Sequence, residues 1–497
     1  MNTKLLKQKI LDLAIRGKLT QQLKSDGTAA DLLTQISDER RKTRDERKGT
    51  RSKKSGVILS EAQSAKSKDL GQIIPLDKSE APFEIPDNWE WVRLNQITEL
   101  IEDCPHSTAC DEGAGYPLIR TPNIGFGHLI LEGVHRVSED VYRRRNLRAT
   151  PQPNDLIFAR EAPAGNIAVI KDGQEVCLGQ RTVLVRPLRN ILCSYYLAYY
   201  ILSSISQKRL VECSGGSTVA HVNLSVFRSY EVPLPPLAEQ QRIVAKIEEA
   251  FAEIDAIEKN KELLKTHIKQ TRQKILDLAI HGKLVPQNKS DEPASVLLER
   301  ITRDNPHYEK IGVDNVPFEI PEKWCWCRLG DVLNIARGGS PRPIQDYLTN
   351  EKDGLNWIKI GDTEKGGKYI ETVKEKIKPS GLSHTRAVKA GDFLLTNSMS
   401  FGRPYILKVD GCIHDGWLVL GNVEKSMIPD FLYFMLSSDF IYQSFAFAAA
   451  GSTVKNLKSE TVQGTLFPLP PLAEQSRIVT KIEELFSTLD QMERNLV

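Results

Sequence analysis

Arginine, asparagine, glutamine and serine gather in short segments of this chain punctuated by glycine and proline. One set comprises Arg120-Thr121-Pro122-Asn123, Arg143-Arg144-Arg145, Arg160-Glu161-Ala162-Pro163-Ala164-Gly165-Asn166 and Gln180-Arg181. A second comprises Arg337-Gly338-Gly339-Ser340-Pro341-Arg342, Lys359, Asn397-Ser398-Met399-Ser400-Phe401-Gly402-Arg403 and His414-Asp415-Gly416-Trp417. Gly216-Ser217-Thr218 and Gly451-Ser452-Thr453 stand late in the two sets. Arginine matches guanine, and asparagine or glutamine matches adenine, through two hydrogen bonds each in a DNA major groove. Serine, threonine, lysine and backbone amides beside glycine suit phosphates. The chemistry on offer is recognition by hydrogen bonding rather than bond making. The candidate contacts are Arg120, Asn123, Arg143, Arg144, Arg160, Asn166, Gln180, Arg181, Ser217 and Thr218, then Arg337, Ser340, Arg342, Lys359, Asn397, Ser398, Arg403, His414, Ser452 and Thr453. For any one of them taken alone, a turn or surface role accounts for the residue equally well.

Sequence signatures of catalysis do not appear beside these segments. The Pro-Pro pairs sit in Leu-Pro-Pro-Leu, not in the Asn/Asp-Pro-Pro-aromatic motif that holds a target base in a DNA methyltransferase. No Gly-x-Gly-x-x-Gly follows a strand pattern, and Gly361-x4-Gly366-Gly367-Lys368-Tyr369 is one residue too long for a phosphate loop and lacks its Ser/Thr. No Ser/His/Asp or Cys/His arrangement is readable. Of the eight cysteines, only Cys104-x-His106-x3-Cys110 forms a cluster, without a partner pair at zinc-finger distance. Reduced, structural thiols are the expectation. The net charge of +3 means that any nucleic-acid contact must come from local basic surface or from a partner. The first 23 residues are amphipathic and charged, and no apolar run reaches transmembrane length, so a soluble, cytoplasmic chain is expected.

The elements that position these segments are written twice. Pro82-Phe83-Glu84-Ile85-Pro86, followed by Trp89-x-Trp91-x-Arg93-Leu94, returns 235 residues later (82 to 317) as Pro317-Phe318-Glu319-Ile320-Pro321 and Trp324-x-Trp326-x-Arg328-Leu329. Pro233-Leu234-Pro235-Pro236-Leu237-Ala238-Glu239-Gln240 returns at the same shift as Pro468-Leu469-Pro470-Pro471-Leu472-Ala473-Glu474-Gln475. Lys9-Ile10-Leu11-Asp12-Leu13-Ala14-Ile15, however, recurs as Lys274-Ile275-Leu276-Asp277-Leu278-Ala279-Ile280, a shift of 265 (9 to 274). The middle segment 237–284 is therefore intact, while its counterpart is divided between residues 472–497 and about 1–19. The pattern is a closed two-unit ring opened inside one connector. It implies a pseudo-twofold axis and suits a bipartite, asymmetric duplex site. A duplicated enzyme or a pseudo-symmetric scaffold fits the repeat alone as well.

The connectors read as a coiled coil. Ile243, Ile247, Ala250, Ile254, Ile257, Lys261, Leu264, Ile268, Thr271, Ile275 and Leu278 alternate steps of four and three, with no Gly or Pro from Leu237 to Ile280. The terminal copy gives Ile478, Ile482, Leu485, Leu489, Met492 and Leu496, continued by Leu6, Ile10 and Leu13. Gly17 and Gly282 fit helix C-terminal caps. The expected fold class is α+β (mixed α/β): two α/β domains joined by a long antiparallel two-helix coiled coil in a circular pseudo-twofold arrangement. Its parts are residues 1–81 (N-terminal helical part of a split spacer plus a basic linker), 82–236 (first module), 237–316 (central helical spacer and linker), 317–471 (second module) and 472–497 (C-terminal part of the split spacer). Apolar runs at Asp155–Phe158, Thr182–Val185, Asp392–Leu395 and Trp417–Leu420 predict strands, and Ser194–Gln207 and Pro429–Ser444 predict helices. The stretch Asp38 to Lys54, with nine basic residues against four acids, reads as a solvated face rather than a phosphate contact.

The chain resembles the specificity subunits of type I restriction-modification systems. The resemblance rests on Pro-Phe-Glu-Ile-Pro-x2-Trp-x-Trp, on Pro-Leu-Pro-Pro-Leu-Ala-Glu-Gln-x-Arg-Ile-Val-x-Lys-Ile-Glu-Glu and on Lys-Ile-Leu-Asp-Leu-Ala-Ile-x-Gly-Lys-Leu. Arg160 to Asn166, Cys177 to Thr182 and His414 to Leu418 add to it inside the modules. It implies two target-recognition domains joined by helical spacers, each domain reading one half of a bipartite site in double-stranded DNA. The implied partners are two modification (methyltransferase) subunits and, through them, restriction subunits, with no membrane. S-adenosylmethionine, ATP and Mg are then expected on partner subunits, with no cofactor, metal or catalytic residue in this chain. The alternatives are a self-contained DNA-modifying enzyme and a coiled-coil scaffold without sequence-specific binding. If the ring is real, new ends in the loop after Gly282, with the present ends joined by a short linker, leave the protein soluble and its site unchanged. Soluble yield across a linker series checks this, and loss of the protein at every length contradicts it.

Overall fold

The structure is a computed structural model describing residues 2–35, 37–38, 73–161, 163–212, 221–364, 366–397, 401–448 and 456–496. Most of the basic stretch 38–54, together with Ser217, Thr218, Ser398, Ser452 and Thr453, lies outside the described residues. The chain divides into two compact units, Met1–Lys259 and Asn260–Val497, with one helix, Leu237–Ile280, running through the boundary.

In the first unit a five-stranded sheet has the order Thr98–Asp103, Thr182–Pro187, Leu156–Ala159, Ile167–Val169 and Gly127–His128. Its neighbours are antiparallel except the last pair. A smaller sheet orders Arg136–Val137, Tyr116–Ile119 and Cys177–Leu178. The second unit repeats this plan. Its larger sheet is Asn334–Arg337, Trp417–Gly421, Phe393–Thr396, Pro404–Leu407 and Tyr369–Ile370. Its smaller one centres on Leu355–Ile358 beside Gly411–Ile413, widened at the edges by Leu348–Thr349 and Arg386–Val388. The predicted strands therefore hold within one or two residues. Their unbroken apolar character has a physical cause: in the first unit Phe158, Val183 and Val185 face the helices, whereas Ile157 and Leu184 face the smaller sheet, so both faces are buried.

Two sequence expectations need correction. Ser194–Gln207 is not one helix but two, Ser194–Leu202 and Ser204–Glu212, and Pro429–Ser444 likewise splits into Pro429–Leu436 and Asp439–Ala448. Serines cause both breaks. Ser203 Oγ donates to the Tyr200 carbonyl (2.7 Å) and accepts from the Ser206 amide (3.3 Å); Ser438 Oγ donates to Met435 (2.6 Å) and accepts from Ile441 (3.4 Å). Each hydroxyl thus closes one helix and caps the next. The Pro-Leu-Pro-Pro segment also enters a strand in each unit. Glu231–Leu234 pairs with Glu90–Arg93, and Leu466–Leu469 with Cys325–Arg328, in two-stranded ribbons where every strand is an edge, the setting in which a strand tolerates proline.

The repeated motifs form a clamp in each unit. Glu239 and Gln240, in the first turn of the long helix, are fully buried. Glu239 accepts from Trp89 Nε1 (3.0 Å), Asn88 Nδ2 (3.1 Å) and Gln22 Nε2 (3.0 Å). Gln240 donates to the carbonyls of Ile191 (2.7 Å) and Pro235 (2.9 Å) and accepts from the Cys193 amide (2.8 Å), which fixes the start of helix Ser194–Leu202. In the second unit Gln475 does the same with Pro470, Ser426 and the Ile428 amide, and Glu474 accepts from Gln287. Burial raises the Glu474 carboxyl above its ordinary range. Arg242–Asp26 (2.5 Å) and Arg477–Asp291 (2.7 Å) lock each clamp from outside.

Each unit also contains an antiparallel helix pair. Thr3–Ala14 lies along the first half of the long helix, with Lys7 on Asp255 and Thr3 on Glu258. The second half pairs with Leu472–Asn495, Arg272 meeting Asp490 and Glu493 (3.3 Å). The predicted seam is buried at Ile243, Ile247, Ile254, Ile268 and Ile275. Ile257 and Leu264, which the heptad places in it, are exposed at 49% and 41%, because helix Thr3–Ala14 begins opposite Glu258 and helix Leu472–Asn495 ends five residues after Asp490. Gly17 and Gly282 are the expected caps, at φ +67° and +64°, and an added Cβ would stand 2.3 Å from Pro86 Cγ or 2.4 Å from Pro321 Cγ. Glycine is required twice over, by conformation and by space.

Glu239→Gln turns amide protons toward donors that now meet carboxylate oxygens. It is expected to cost about 2 kcal/mol and to speed amide exchange in Glu90–Arg93. Hydrogen exchange followed by mass spectrometry reads this, and unchanged protection contradicts the clamp.

Candidate nucleic-acid interface

Among the described residues, the segments around Arg120, Arg160 and Gln180 in the first unit, and around Arg337, Lys359, Asn397 and His414 in the second, lie in loops that begin or end on strands of the two sheets, whereas the Arg143–Arg145 run lies on a helix. In the first unit, strand Leu156–Ala159 runs into a loop closed by Gly165, at φ +93°, whose amide donates to Ala159 O (2.9 Å) while Ala159 N donates to Asn166 O (2.7 Å). The second unit has the same closure: Gly402, at φ +72°, donates to Thr396 O (2.9 Å), and Thr396 N to Arg403 O (3.0 Å). Arg160 N donates to Arg181 O (2.9 Å) as Asn397 N donates to Gly416 O (3.0 Å). Arg160 and Asn397 are therefore structural equivalents, as are Gly179-Gln180-Arg181 and His414-Asp415-Gly416. Arg120 and Lys359 each open a short 3-10 turn, their amides bonded to Asn123 Oδ1 (3.1 Å) and Asp362 Oδ2 (2.9 Å).

Side chains on this shared frame differ. The first unit carries a relay of charges. Arg160 donates to both oxygens of Asp103 (3.2 and 2.9 Å), to Val222 O (3.2 Å) and to His221 Nε2 (3.0 Å). His221 Nδ1 lies 2.5 Å from Glu161 Oε1, and Glu161 Oε2 holds Arg181 Nε at 2.9 Å. An imidazole that accepts from arginine at Nε2 carries its proton on Nδ1, which donates to Glu161. The relay ends on Arg181, whose side chain is 59% exposed. Gln180 reaches Thr108 Oγ1 (2.8 Å).

The second unit centres instead on Asp415. Its carbonyl accepts from Arg337 Nε (3.0 Å) and Asn397 Nδ2 (2.7 Å), and its carboxylate from Ser340 Oγ (2.9 Å) and Arg342 Nη2 (3.4 Å). Burial alone would raise this carboxyl, but the Ser340 hydrogen bond and the neighbouring His414 and Arg337 side chains outweigh it and hold the group below its ordinary range. His414 is pushed the other way, burial lowering its pKa, and its Nδ1 accepts from the Gly416 amide (2.7 Å). Lys359 pairs with Glu375, and Arg403 is exposed.

Several candidates prove to be scaffold. Asn123 is buried, capping its own turn and donating to Ile130 O (3.3 Å); Asn166 donates to Ile124 O (2.9 Å); Asn397 is buried on Asp415. In the arginine run, Arg143 and Arg144 are exposed and paired to Glu139 and Asp140, whereas Arg145 is buried. Arg145 holds the carbonyls of Leu178 (2.7 Å), Ser107 (3.0 Å) and Pro105 (3.4 Å), and burial lowers its pKa. Sequence reasoning named Glu161 only as a member of its loop and missed Asp103, Thr108 and His221 as part of the site. The signal that could have found Asp415 was its alignment with Gln180 at the 235-residue shift.

Cys104 is buried while His106 and Cys110 are exposed, and among the described residues no group of three His, Cys, Asp or Glu could hold a metal. Burial raises the thiols of Cys104, Cys177 (to about 11), Cys325 (to about 12) and Cys412, which leaves them weak nucleophiles. Among the described residues no helix is long and apolar enough to cross a membrane.

The frame has known counterparts. The model of the type I restriction modification DNA specificity domain matches this chain twice, at residues 86–266 and 321–496. The chain belongs to that family. The EcoAI specificity subunit of Escherichia coli is 25% identical over 98% of this chain and 90% of its own length, and the EcoBI subunit of the same species is 27% identical over 83% and 82%. The HsdS subunit from Thermoanaerobacter tengcongensis shares the fold, with a TM-score of 0.52 at 20% identity over 84% of this chain and 94% of its own. Both matched segments of the family model run from the entry strand through the loop cluster into a spacer helix, so this chain carries the family frame twice.

Arg160→Ala strands Asp103 with its charge unmet and is expected to cost about 2 kcal/mol, whereas Arg143→Ala and Arg144→Ala leave the unfolding transition unchanged. Chemical unfolding of the three variants checks the division between scaffold and surface.

Proposed function

We propose that this chain is the non-catalytic DNA-reading subunit of a type I restriction-modification complex, acting in the cytoplasm. Residues 82–236 and 317–471 each read one half of a bipartite, asymmetric site in duplex DNA. The helical spacers dock two modification subunits, and restriction subunits join through these. S-adenosylmethionine, ATP and Mg act on the partner subunits. The observation that supports this best is one frame bearing two chemistries: Gln180 and Arg181 in one unit stand where Asp415 and Gly416 stand in the other. A frame used twice for the same contact would keep its loop residues. A frame used to read two different sequences keeps only its skeleton, and the hydrogen-bonding code of the major groove rewards such differences with about 1–3 kcal/mol per well-made contact.

Exchanging residues 82–236 for the corresponding module of a relative, with the partner subunits present, is expected to change one half of the methylated motif and leave the other intact. Methylation mapping reads the outcome, and alteration of both halves or of neither contradicts it.

A further inference from the structure

The loop that follows the first strand of the larger sheet is pinned in each unit by one residue of the turn that precedes the second. In the first unit Gln180 Nε2 holds Thr108 Oγ1 at 2.8 Å. In the second, at the equivalent position, Asp415 accepts from Ser340 Oγ (2.9 Å) and from Arg342 Nη2 (3.4 Å), and its own amide donates to Ser340 Oγ (3.3 Å). The loop lies flush against the turn. Gly338 N donates to Trp417 O (2.9 Å) and Gly339 N to Ile413 O (3.2 Å). A Cβ on Gly338 would stand 2.3 Å from His414 O, and one on Gly339 2.6 Å from His384 O, so only glycine permits this approach. Arg342 is held at its tip with 82% of its side chain exposed, next to Arg337, which is also exposed and is fixed by the Asp415 carbonyl.

An exposed arginine gains little from a single carboxylate as a matter of stability, since surface pairs are worth ~0–1 kcal/mol. Its geometry is another matter. A guanidinium free to rotate meets many acceptors poorly, while one held by a fixed carboxylate presents its remaining donors in one direction, as bidentate recognition of a base edge requires. Gly338, Gly339, Ser340 and Asp415 together make such a mount. We propose that Asp415 is a positioning residue for base recognition by the second unit: it orients Arg342 and the Gly338–Arg342 loop, and so sets discrimination at one part of one half-site. This rests on the function proposed above.

The test uses the chain assembled with its modification subunits and a panel of duplexes carrying single base-pair substitutions in either half-site. Asp415→Ala is expected to reduce discrimination about tenfold at one or two adjacent base pairs of the half-site read by residues 317–471, with discrimination in the other half unchanged. Arg342→Ala, a change at an exposed position that does not endanger folding, is expected to give the same loss, and Asp415→Ala/Arg342→Ala no more than either alone. A uniform fall in affinity across the panel, discrimination equal to that of the parent chain, or additive losses in the double variant would each overturn the proposal. A parent complex that does not discriminate at either half-site overturns the functional reading, and this inference with it.

Discussion

The buried Glu-Gln pair at the first turn of each spacer helix is the constraint on which the remaining structure depends. A carboxylate and an amide taken out of water must be met by donors and acceptors, and the first unit meets them from three directions at once. Trp89 and Asn88 come from the entry of the module, Gln22 from the loop after the N-terminal helix, and Ile191 and Cys193 from the far end of the larger sheet. The demand for satisfaction therefore joins sheet, entry strand and spacer into one body. The loops that carry the variable side chains hang from the opposite side of that sheet and are free to differ.

The second unit shows that this is a rule of the chain and not an accident of one site. Gln287 and Asp291 stand to Glu474 and Arg477 as Gln22 and Asp26 stand to Glu239 and Arg242. The partners in one unit come from the N-terminal segment, and in the other from the segment after the central helix. That difference is the physical meaning of the two repeat shifts, 235 and 265: the same clamp is assembled from two different orders of the chain.

Much of the frame was legible in advance because its constraints are local or periodic. Apolar runs bounded by Gly and Asn fixed the strands, and the alternation of four and three fixed the helix Leu237–Ile280. Gly17 and Gly282 were readable as caps because only one backbone region suits them. The helix breaks at Ser203 and Ser438 were not, since a serine signals a break only when its hydroxyl finds both a carbonyl behind and an amide ahead. The exposure of Ile257 and Leu264 was hidden too, because a heptad shows a seam without showing how far the covering helix extends. The site was legible as a set of loops but not as a set of roles. Arg145 looks like its exposed neighbours Arg143 and Arg144 in sequence and is buried scaffold in space, as Asn123 is. Asp103 and His221 became partners of Arg160 only through folding.

One frame bearing two unlike loop sets makes a definite claim about what the protein reads. Mapping every methylated base in DNA from cells that carry this chain with its modification subunits tests that claim most directly. The account predicts a single motif of two unlike half-sites separated by a gap of fixed length and unconstrained sequence. A continuous motif, or two identical half-sites related by symmetry, would contradict it.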